Sequence, residues 1–157
     1  MDKINKKLTL LSHVAKELNN RKVTWAIGAS MLLYFKGIVS DFHDIDILVK
    51  EEDIDQAKEA LLSFGIMQSP NQSISYKTKQ FMEFEVDGVE FDLMAGFVII
   101  NNDKEYYFAL QNEDIKDFVE VRGVQIPLQS LEEWRMYYQL MGRDEKVRLI
   151  DDWQQRQ

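Results

Sequence analysis

Residues 23–49 read VTWAIGASMLLYFKGIVSDFHDIDILV, and this order of apolar and polar residues predicts a strand, a turn, a short helix and a second strand. The first apolar run ends at Gly28, where a glycine permits a tight turn into the helix. The second run, residues 45–49, predicts another buried strand. This order is typical of an α/β unit in which a helix connects neighbouring strands.

Asp44 and Asp46 lie where the second strand begins. Because successive side chains of a strand point to opposite faces, the two carboxylates are expected on one face and Ile45 and Ile47 on the other. The neighbouring His43 is expected to point away from Asp44. An Asp-x-Asp pattern is common in acidic proteins. The pattern is therefore explained equally well by a solvent-exposed start of a strand and by a functional site.

A third acidic residue, Asp92, follows a predicted hairpin. Asp87 and Gly88 favour a two-residue turn, which is the strongest short hairpin signal. With that turn, Glu83 lies opposite Asp92, and one face of the hairpin is acidic while the other is apolar. The acidic face also carries Glu85 and Glu90. Because like charges directly opposite destabilise a sheet, either water screens this face or cations bind it.

Two sources of positive charge are available to this face. Lys77 and Lys79 lie on the preceding strand, which is predicted over residues 74–79. The other source is a divalent ion, because three carboxylates that converge from Asp44, Asp46 and Asp92 are hard to keep ionised without one. Oxygen ligands of this kind suit Mg²⁺ or Mn²⁺.

The turn at Gly28 also indicates a phosphate site. Free N–H groups at the start of the helix favour a phosphate, and Ser30 either donates its hydroxyl to the same oxygen or caps the helix. Thirteen residues separate Ser30 from Asp44, enough for one helix and a return into the adjacent strand. A phosphate site, a divalent-ion site and a third acid together specify phosphoryl or nucleotidyl transfer.

Composition limits the class of protein. The 157 residues suit one domain, residues 1–157, and the net charge of −8 disfavours a partner that is a long nucleic acid. Cysteine is absent and only two histidines occur, which argues against disulfides and zinc sites. No apolar run is long enough to span a membrane and the N-terminus is polar, so a cytoplasmic protein without a membrane partner is expected.

The remaining chain predicts a mixed α/β (α+β) fold, with helices on either side of a central sheet. Helical spacing covers about residues 4–18 and 54–64, and a hairpin covers residues 118–128. Ser130 and Glu133 form a capping box that opens a helical tail over about residues 130–157.

Three motifs in this order resemble those of the nucleotidyltransferase superfamily, which has the polymerase-β-like fold. They are Ile27-Gly28-Ala29-Ser30, Asp44-Ile45-Asp46-Ile47 and Phe91-Asp92-Leu93, within a core of about residues 20–100. The small single-domain members are most similar, namely the lincosamide- and aminoglycoside-type antibiotic nucleotidyltransferases and the nucleotidyltransferase toxins of toxin–antitoxin systems. The resemblance implies a central mixed sheet flanked by helices, with further helices at the C-terminal end.

The resemblance also implies a role for each motif residue. Asp44 and Asp46 would ligate the metal ions that carry a nucleoside triphosphate. Asp92 would ligate the second metal and help to deprotonate the acceptor hydroxyl, so that all three aspartates are catalytic. Gly28 and Ser30 would bind the β- and γ-phosphates.

The chain departs from the family pattern at three places. Many relatives carry a basic residue or threonine just before the Asp pair, and here those positions are Ser40, Phe42 and His43. Ala29 stands where glycine is frequent, and residues 134–138 lack the lysine with which several relatives reach phosphate. Arg143 and Lys146 are the cations that would have to replace it.

The function implied is a Mg²⁺-dependent transfer of a nucleoside monophosphate, AMP by family analogy, from the triphosphate to a hydroxyl group, with release of pyrophosphate. A small-molecule acceptor is favoured over a long RNA by the net charge of −8. Two alternatives stay open: a toxin-type enzyme that modifies tRNA or protein, and a degenerate member that binds a nucleotide or partner without catalysis.

Overall fold

A computed structural model of the protein describes residues 2–68 and 78–157. These residues form five α-helices: α1 (Lys3–Asn20), α2 (Ala29–Phe35), α3 (Ile54–Leu62), α4 (Leu131–Met141) and α5 (Asp144–Gln155). They also form nine strands: β1 (Trp25–Gly28), β2 (Ile45–Val49), β3 (Ile66–Met67), β4 (Gln80–Val86), β5 (Val89–Ala95), β6 (Phe97–Asn101), β7 (Lys104–Phe108), β8 (Asp117–Val121) and β9 (Val124–Leu128). None of the helices in this part of the chain is long and apolar enough to cross a membrane.

Seven of these strands form one mixed sheet in the order β3-β4-β5-β2-β1-β9-β8. Strand β2 runs parallel to β5 and β1 runs parallel to β9, whereas the other neighbours are antiparallel. Strands β6 and β7 pair separately as an antiparallel hairpin. The architecture confirms the predicted mixed α/β fold with helices at the C-terminal end.

The two central strands β2 and β5 separate apolar from acidic side chains. Ile45, Ile47 and Phe91 are fully buried on the apolar face. Each buried side chain of this size stabilises the fold by about 1.5–3 kcal/mol. Since strand side chains alternate, this burial directs Asp46 and Asp92 to the other face.

Helix α4 is packed against the β6–β7 hairpin by aromatic residues. Ser130 caps α4, because its hydroxyl accepts from the Glu133 N–H at 3.1 Å and the Glu133 carboxylate accepts from the Ser130 N–H at 3.2 Å. Rings of Trp134 and Tyr137 on α4 lie 5.8 and 5.4 Å from the ring of Phe97 on β6. Helix α4 also lies next to the end of β1, because its Trp134 approaches Gly28 there.

The structure differs from the predicted elements in the middle of the chain. Residues 74–77 of the predicted strand lie outside the described residues, and residues 78–79 precede β4 instead of continuing a strand. Strands β3 and β7 were not predicted, because β3 has only two residues and the charged and aromatic sequence of β7 does not alternate.

Candidate active site

Four residues lie side by side on neighbouring strands. Gly28 on β1 pairs with Asp46 on β2, Asp46 pairs with Asp92 on β5, and Asp92 pairs with Glu83 on β4. The predicted hairpin register from Val86–Val89 outward is confirmed. Neighbouring strands are about 4.8 Å apart, so the row brings carboxylates from three strands close together on one face of the sheet.

Asp44 completes the group from just before β2. Asp44, Asp46 and Asp92 line one cleft, as the sequence predicted, and Ser30 lines the same cleft. Carboxylate oxygens of Asp44, Asp92 and Glu90 lie within 4.8 Å of one another. Glu90 was not predicted to join the group, although its position two residues before Asp92 on the same strand was a signal for a shared face.

Electrostatics in this group favour a bound cation. Loss of hydration, together with the charge of Asp44, raises the pKa of Asp46 to about 7. Burial raises the pKa of Asp92 to about 10, and contact with Glu90 and the charge of Asp46 add to the effect. Without a cation the group therefore holds protons at neutral pH, since closely spaced carboxylates cannot all ionise.

Asp92 supplies a direct test of whether a metal fits here. Its side chain is 7% exposed, and its Oδ1 atom is buried without a hydrogen-bond partner among residues 2–68 and 78–157. A buried polar atom without a partner costs about 1–3 kcal/mol, so such atoms are rare unless an ion or a water satisfies them. An all-oxygen donor set with an unsatisfied carboxylate oxygen fits Mg²⁺ or Mn²⁺.

Gly28 is required at the turn for a different reason from the predicted one. Its backbone is extended, with φ −129° and ψ −169°, which any residue can adopt. However, a Cβ atom at this position would lie 2.6 Å from both Gln129 Oε1 and Trp134 Nε1. These two atoms form a buried hydrogen bond of 2.7 Å. The glycine is therefore needed because α4 packs directly onto the end of β1.

The left-handed backbone of the turn occurs at the next residue, Ala29, with φ 56°. An alanine in this region is strained by about 1–2 kcal/mol because its Cβ approaches the carbonyl oxygen. This is the position at which glycine is frequent in the family that the sequence resembles.

The wall of the cleft opposite the carboxylates comes from the C-terminal helices. Trp134, Tyr138, Arg143 and Lys146 all line the cleft that contains the three aspartates. Burial raises the pKa of Tyr138, and the charge of Asp46, on the same cleft, raises it further. Trp134 and Tyr138 are buried as well as lining the cleft.

One prediction about neighbouring charges was wrong, and one of the two possible cation sources binds another residue. His43 does not point away from Asp44: its Nδ1 atom lies 2.5 Å from Asp44 Oδ1, and the side chain is 93% exposed. The alternation rule fails because both residues precede the first strand residue, Ile45. Lys79 does not neutralise the acidic face, since it pairs with Glu51 at 3.4 Å. Lys77 lies outside the described residues.

Comparison with known proteins identifies the family. The family model for aminoglycoside-2″-adenylyltransferase matches residues 10–155. The chain belongs to the aminoglycoside-2″-adenylyltransferase family. It is therefore a nucleotidyltransferase, as the sequence motifs implied.

Solved structures place this family member among nucleotidyltransferases. A Thermotoga maritima protein assigned as a nucleotidyltransferase, TM1012, is 26% identical with a TM-score of 0.73, over 100% of this chain and 97% of that one. ANT(2″)-Ia in complex with adenylyl-2″-tobramycin is 12% identical with a TM-score of 0.63, over 92% and 87%. The lincomycin-bound adenylyltransferase LnuA is 15% identical with a TM-score of 0.58, over 96% and 97%. These last two show that the fold is shared. No curated protein sequence matches the chain.

Proposed function

We propose that the protein transfers AMP from ATP to a hydroxyl group of a small acceptor, with Mg²⁺ or Mn²⁺ as cofactor, and releases pyrophosphate. One observation carries the proposal: Asp44, Asp46 and Asp92 line a single cleft together with the cationic side chains Arg143 and Lys146. Carboxylates for a divalent ion and cations for phosphates on the same cleft are what nucleotidyl transfer requires.

The three aspartates would hold the divalent ion. When bound, such an ion neutralises triphosphate charge and stabilises the pyrophosphate that leaves. The acceptor oxygen forms a bond to the α-phosphorus of ATP while the bond from that phosphorus to pyrophosphate breaks. We assign Asp92 to receive the proton of the acceptor hydroxyl, which is the role that the sequence motif implied for it.

The phosphates would be bound on the side of Ser30 and the C-terminal helices. Ser30 offers a hydroxyl, the backbone at Gly28 lies beside Asp46, and Arg143 and Lys146 supply positive charge. The sequence lacks a lysine on α4, but the segment that follows α4 places two cations on the cleft. Their position supports catalysis over the alternative of a degenerate, non-catalytic module.

A small acceptor with amino groups suits the charge of the protein. The family name indicates an aminoglycoside, and the net charge of −8 attracts a cationic molecule. The lysines near the acidic group are partly neutralised, because Lys6 pairs with Asp87 and Lys7 with Asp41. The neighbouring cleft is lined by Lys3, Lys6 and Lys7 together with Glu83, Glu85 and Glu90. The described residues there carry both signs of charge and do not form the uniformly basic strip that would favour tRNA.

The test is an acceptor screen with ATP and Mg²⁺. Purified protein is incubated with aminoglycosides, lincosamides, bulk tRNA and protein, and pyrophosphate release is measured together with the mass of each acceptor. We expect the mass of one AMP to be added to an aminoglycoside, and we expect Asp46→Asn to lose this activity while staying folded.

Other outcomes separate the alternatives. Labelled tRNA or protein, with unmodified small molecules, would support the toxin-type enzyme. Mg²⁺-dependent stabilisation by ATP without any product would support the degenerate module. Full activity of Asp46→Asn would show that the metal assignment is wrong.

A further inference from the structure

Glu90 stands beside the catalytic aspartates, although the reaction described above does not use it. Its carboxylate oxygen lies within 4.8 Å of oxygens of Asp44 and Asp92. Asp46 lies on β2 directly beside Asp92 on β5, and it lines the cleft that contains Ser30. Glu90 instead lines a second cleft, on the side of α1 and the β4–β5 hairpin. Asp44 and Asp92 thus have one further carboxylate on each side.

A second observation links Glu90 to a ligand. Asp92 is more than nine-tenths buried, and its Oδ1 atom has no hydrogen-bond partner in the described part of the chain. Within the same residues, no lysine or arginine forms an ion pair with Glu90 or Asp92. Glu90 also contacts Glu83 and lies opposite Glu85 in the sheet, so negative charge surrounds it. Lys3, Lys6 and Lys7 line the same cleft as Glu90, but none of them forms an ion pair with it. Among the described residues Glu90 and Asp92 are therefore not paired directly with a protein cation, and a bound cation would balance their charge.

The rest of the fold shows that Glu90 is held in place. Its neighbours on β5, Val89 and Phe91, are buried on the apolar face, and β5 pairs along its whole length with β4. A slip of β5 by one residue would expose these apolar side chains, so the register is strongly specified. The carboxylate of Glu90 is therefore presented to Asp44 and Asp92 by the same buried residues that orient Asp92.

We propose that Glu90 is a further metal ligand, which together with Asp44 and Asp92 binds a divalent cation on the side of the cluster that faces the second cleft. The proposal rests on the proposed function, because it extends the metal site formed by Asp44, Asp46 and Asp92. Carboxylate oxygens suit Mg²⁺ and Mn²⁺, and a fourth carboxylate raises the affinity of the site for such ions. Asp44 and Asp92 would be shared between this position and the one next to Asp46.

The experiment measures Mn²⁺ binding without substrate turnover. Free Mn²⁺ is followed by its electron paramagnetic resonance signal while the metal-free protein is titrated, for wild type, Glu90→Gln, Glu85→Gln and Asp44→Asn. Glu85→Gln is the matched control, because Glu85 lies opposite Glu90, carries the same charge and is exposed outside the group of three oxygens. Thermal unfolding without metal checks that each variant is folded.

We expect Glu90→Gln to raise the Kd for Mn²⁺ by about 10- to 100-fold. Loss of a residue that only orients a metal ligand already has an effect of this size, so loss of a ligand itself should have at least as large an effect. Glu85→Gln should change the Kd by about twofold or less, since a screened surface charge acts weakly. Glu90→Gln removes a like charge from the group, so we expect the metal-free variant to be at least as stable as the wild type.

The outcomes distinguish this inference from the proposed function. An unchanged Kd in Glu90→Gln, with a clear loss in Asp44→Asn, overturns the role of Glu90 and leaves the aspartate site intact. An equal loss of Mn²⁺ affinity in Glu85→Gln and Glu90→Gln also overturns the role of Glu90, because the effect would then come from the overall negative charge and not from a ligand. A wild-type protein that binds no Mn²⁺ overturns both the metal site of the proposed function and the role of Glu90.

Discussion

Substitution of Gly28 by alanine tests whether packing of α4 onto β1 determines the glycine in the site. The added Cβ atom would meet Gln129 Oε1 and Trp134 Nε1 at 2.6 Å and Trp134 Cε2 at 2.7 Å. The indole cannot move away easily, because Trp134 is 3% exposed and its ring lies 5.1 and 5.3 Å from those of Tyr137 and Tyr138.

The cost has two parts. Overpacking of a well-packed core costs about 1–3 kcal/mol. Separation of Trp134 Nε1 from Gln129 Oε1 costs about 1 kcal/mol more, because their hydrogen bond is buried. We therefore expect Gly28→Ala to lower the free energy of unfolding by about 2–4 kcal/mol, which a domain with about 5–15 kcal/mol of stability survives.

Urea unfolding followed by tryptophan fluorescence measures this difference, with Gly37→Ala as the control. Gly37 has φ +80° and nothing lies within 4 Å of the Cβ position, so its substitution adds backbone strain of about 1–2 kcal/mol without a collision. The reasoning is refuted if Gly28→Ala is no less stable than Gly37→Ala at an equal denaturant slope.

Three further predictions concern the turn, the acidic group and the C-terminal helices. Ala29→Gly should raise the free energy of unfolding by up to about 1 kcal/mol, because φ is 56° there; a loss of stability in urea unfolding would contradict the strain. Asp46 and Asp92 have raised pKa values of about 7 and about 10 in the folded protein, whereas both ionise near pH 4 in the unfolded chain. As the pH rises from about 4 through 7 towards 10, the unfolded state therefore releases these protons first, and the metal-free protein loses stability. The melting temperature should therefore fall over this pH range, and it should fall less steeply in Asp92→Asn. Mg²⁺ should raise the melting temperature more at pH 8 than at pH 5. Equal pH profiles for the wild type and Asp92→Asn would refute the assignment of a raised pKa to Asp92. Ser130→Ala should cost about 1 kcal/mol in the same unfolding assay, because it removes the cap of α4, and Ser130→Thr, which keeps the hydroxyl, should retain most of this stability.

The arrangement of the acidic residues could be predicted because it depends on local rules. The Asp87–Gly88 turn fixes the register of the hairpin, so every pair from Val86–Val89 to Glu83–Asp92 follows from it. The two-residue period of a strand then decides which side chains share a face. The parallel pairing of β2 with β5 does not follow from either rule, and it was not predicted.

The contribution of the C-terminal helices could not be predicted from local patterns. The helical spacing of Trp134 and Tyr138 predicts an apolar helix face. This pattern does not distinguish a helix packed in the core from a helix that borders a cleft. The contact of Trp134 with Gly28 joins residues more than one hundred positions apart, and no periodicity encodes such a contact. His43 shows the opposite failure, because a rule for strands was applied to a residue outside the strand.

The alignment of β1, β2, β5 and β4 limits how the length of this chain can vary. Adding or removing one residue between Gly88 and Asp92 would turn the third carboxylate towards Phe84 and the apolar layer. A longer turn at Arg122–Gly123, between β8 and β9, would leave the carboxylates in place and cost little loop entropy. Relatives of this enzyme that differ in length should therefore carry their insertions at such outer turns, with the β4–β5 hairpin unchanged in size.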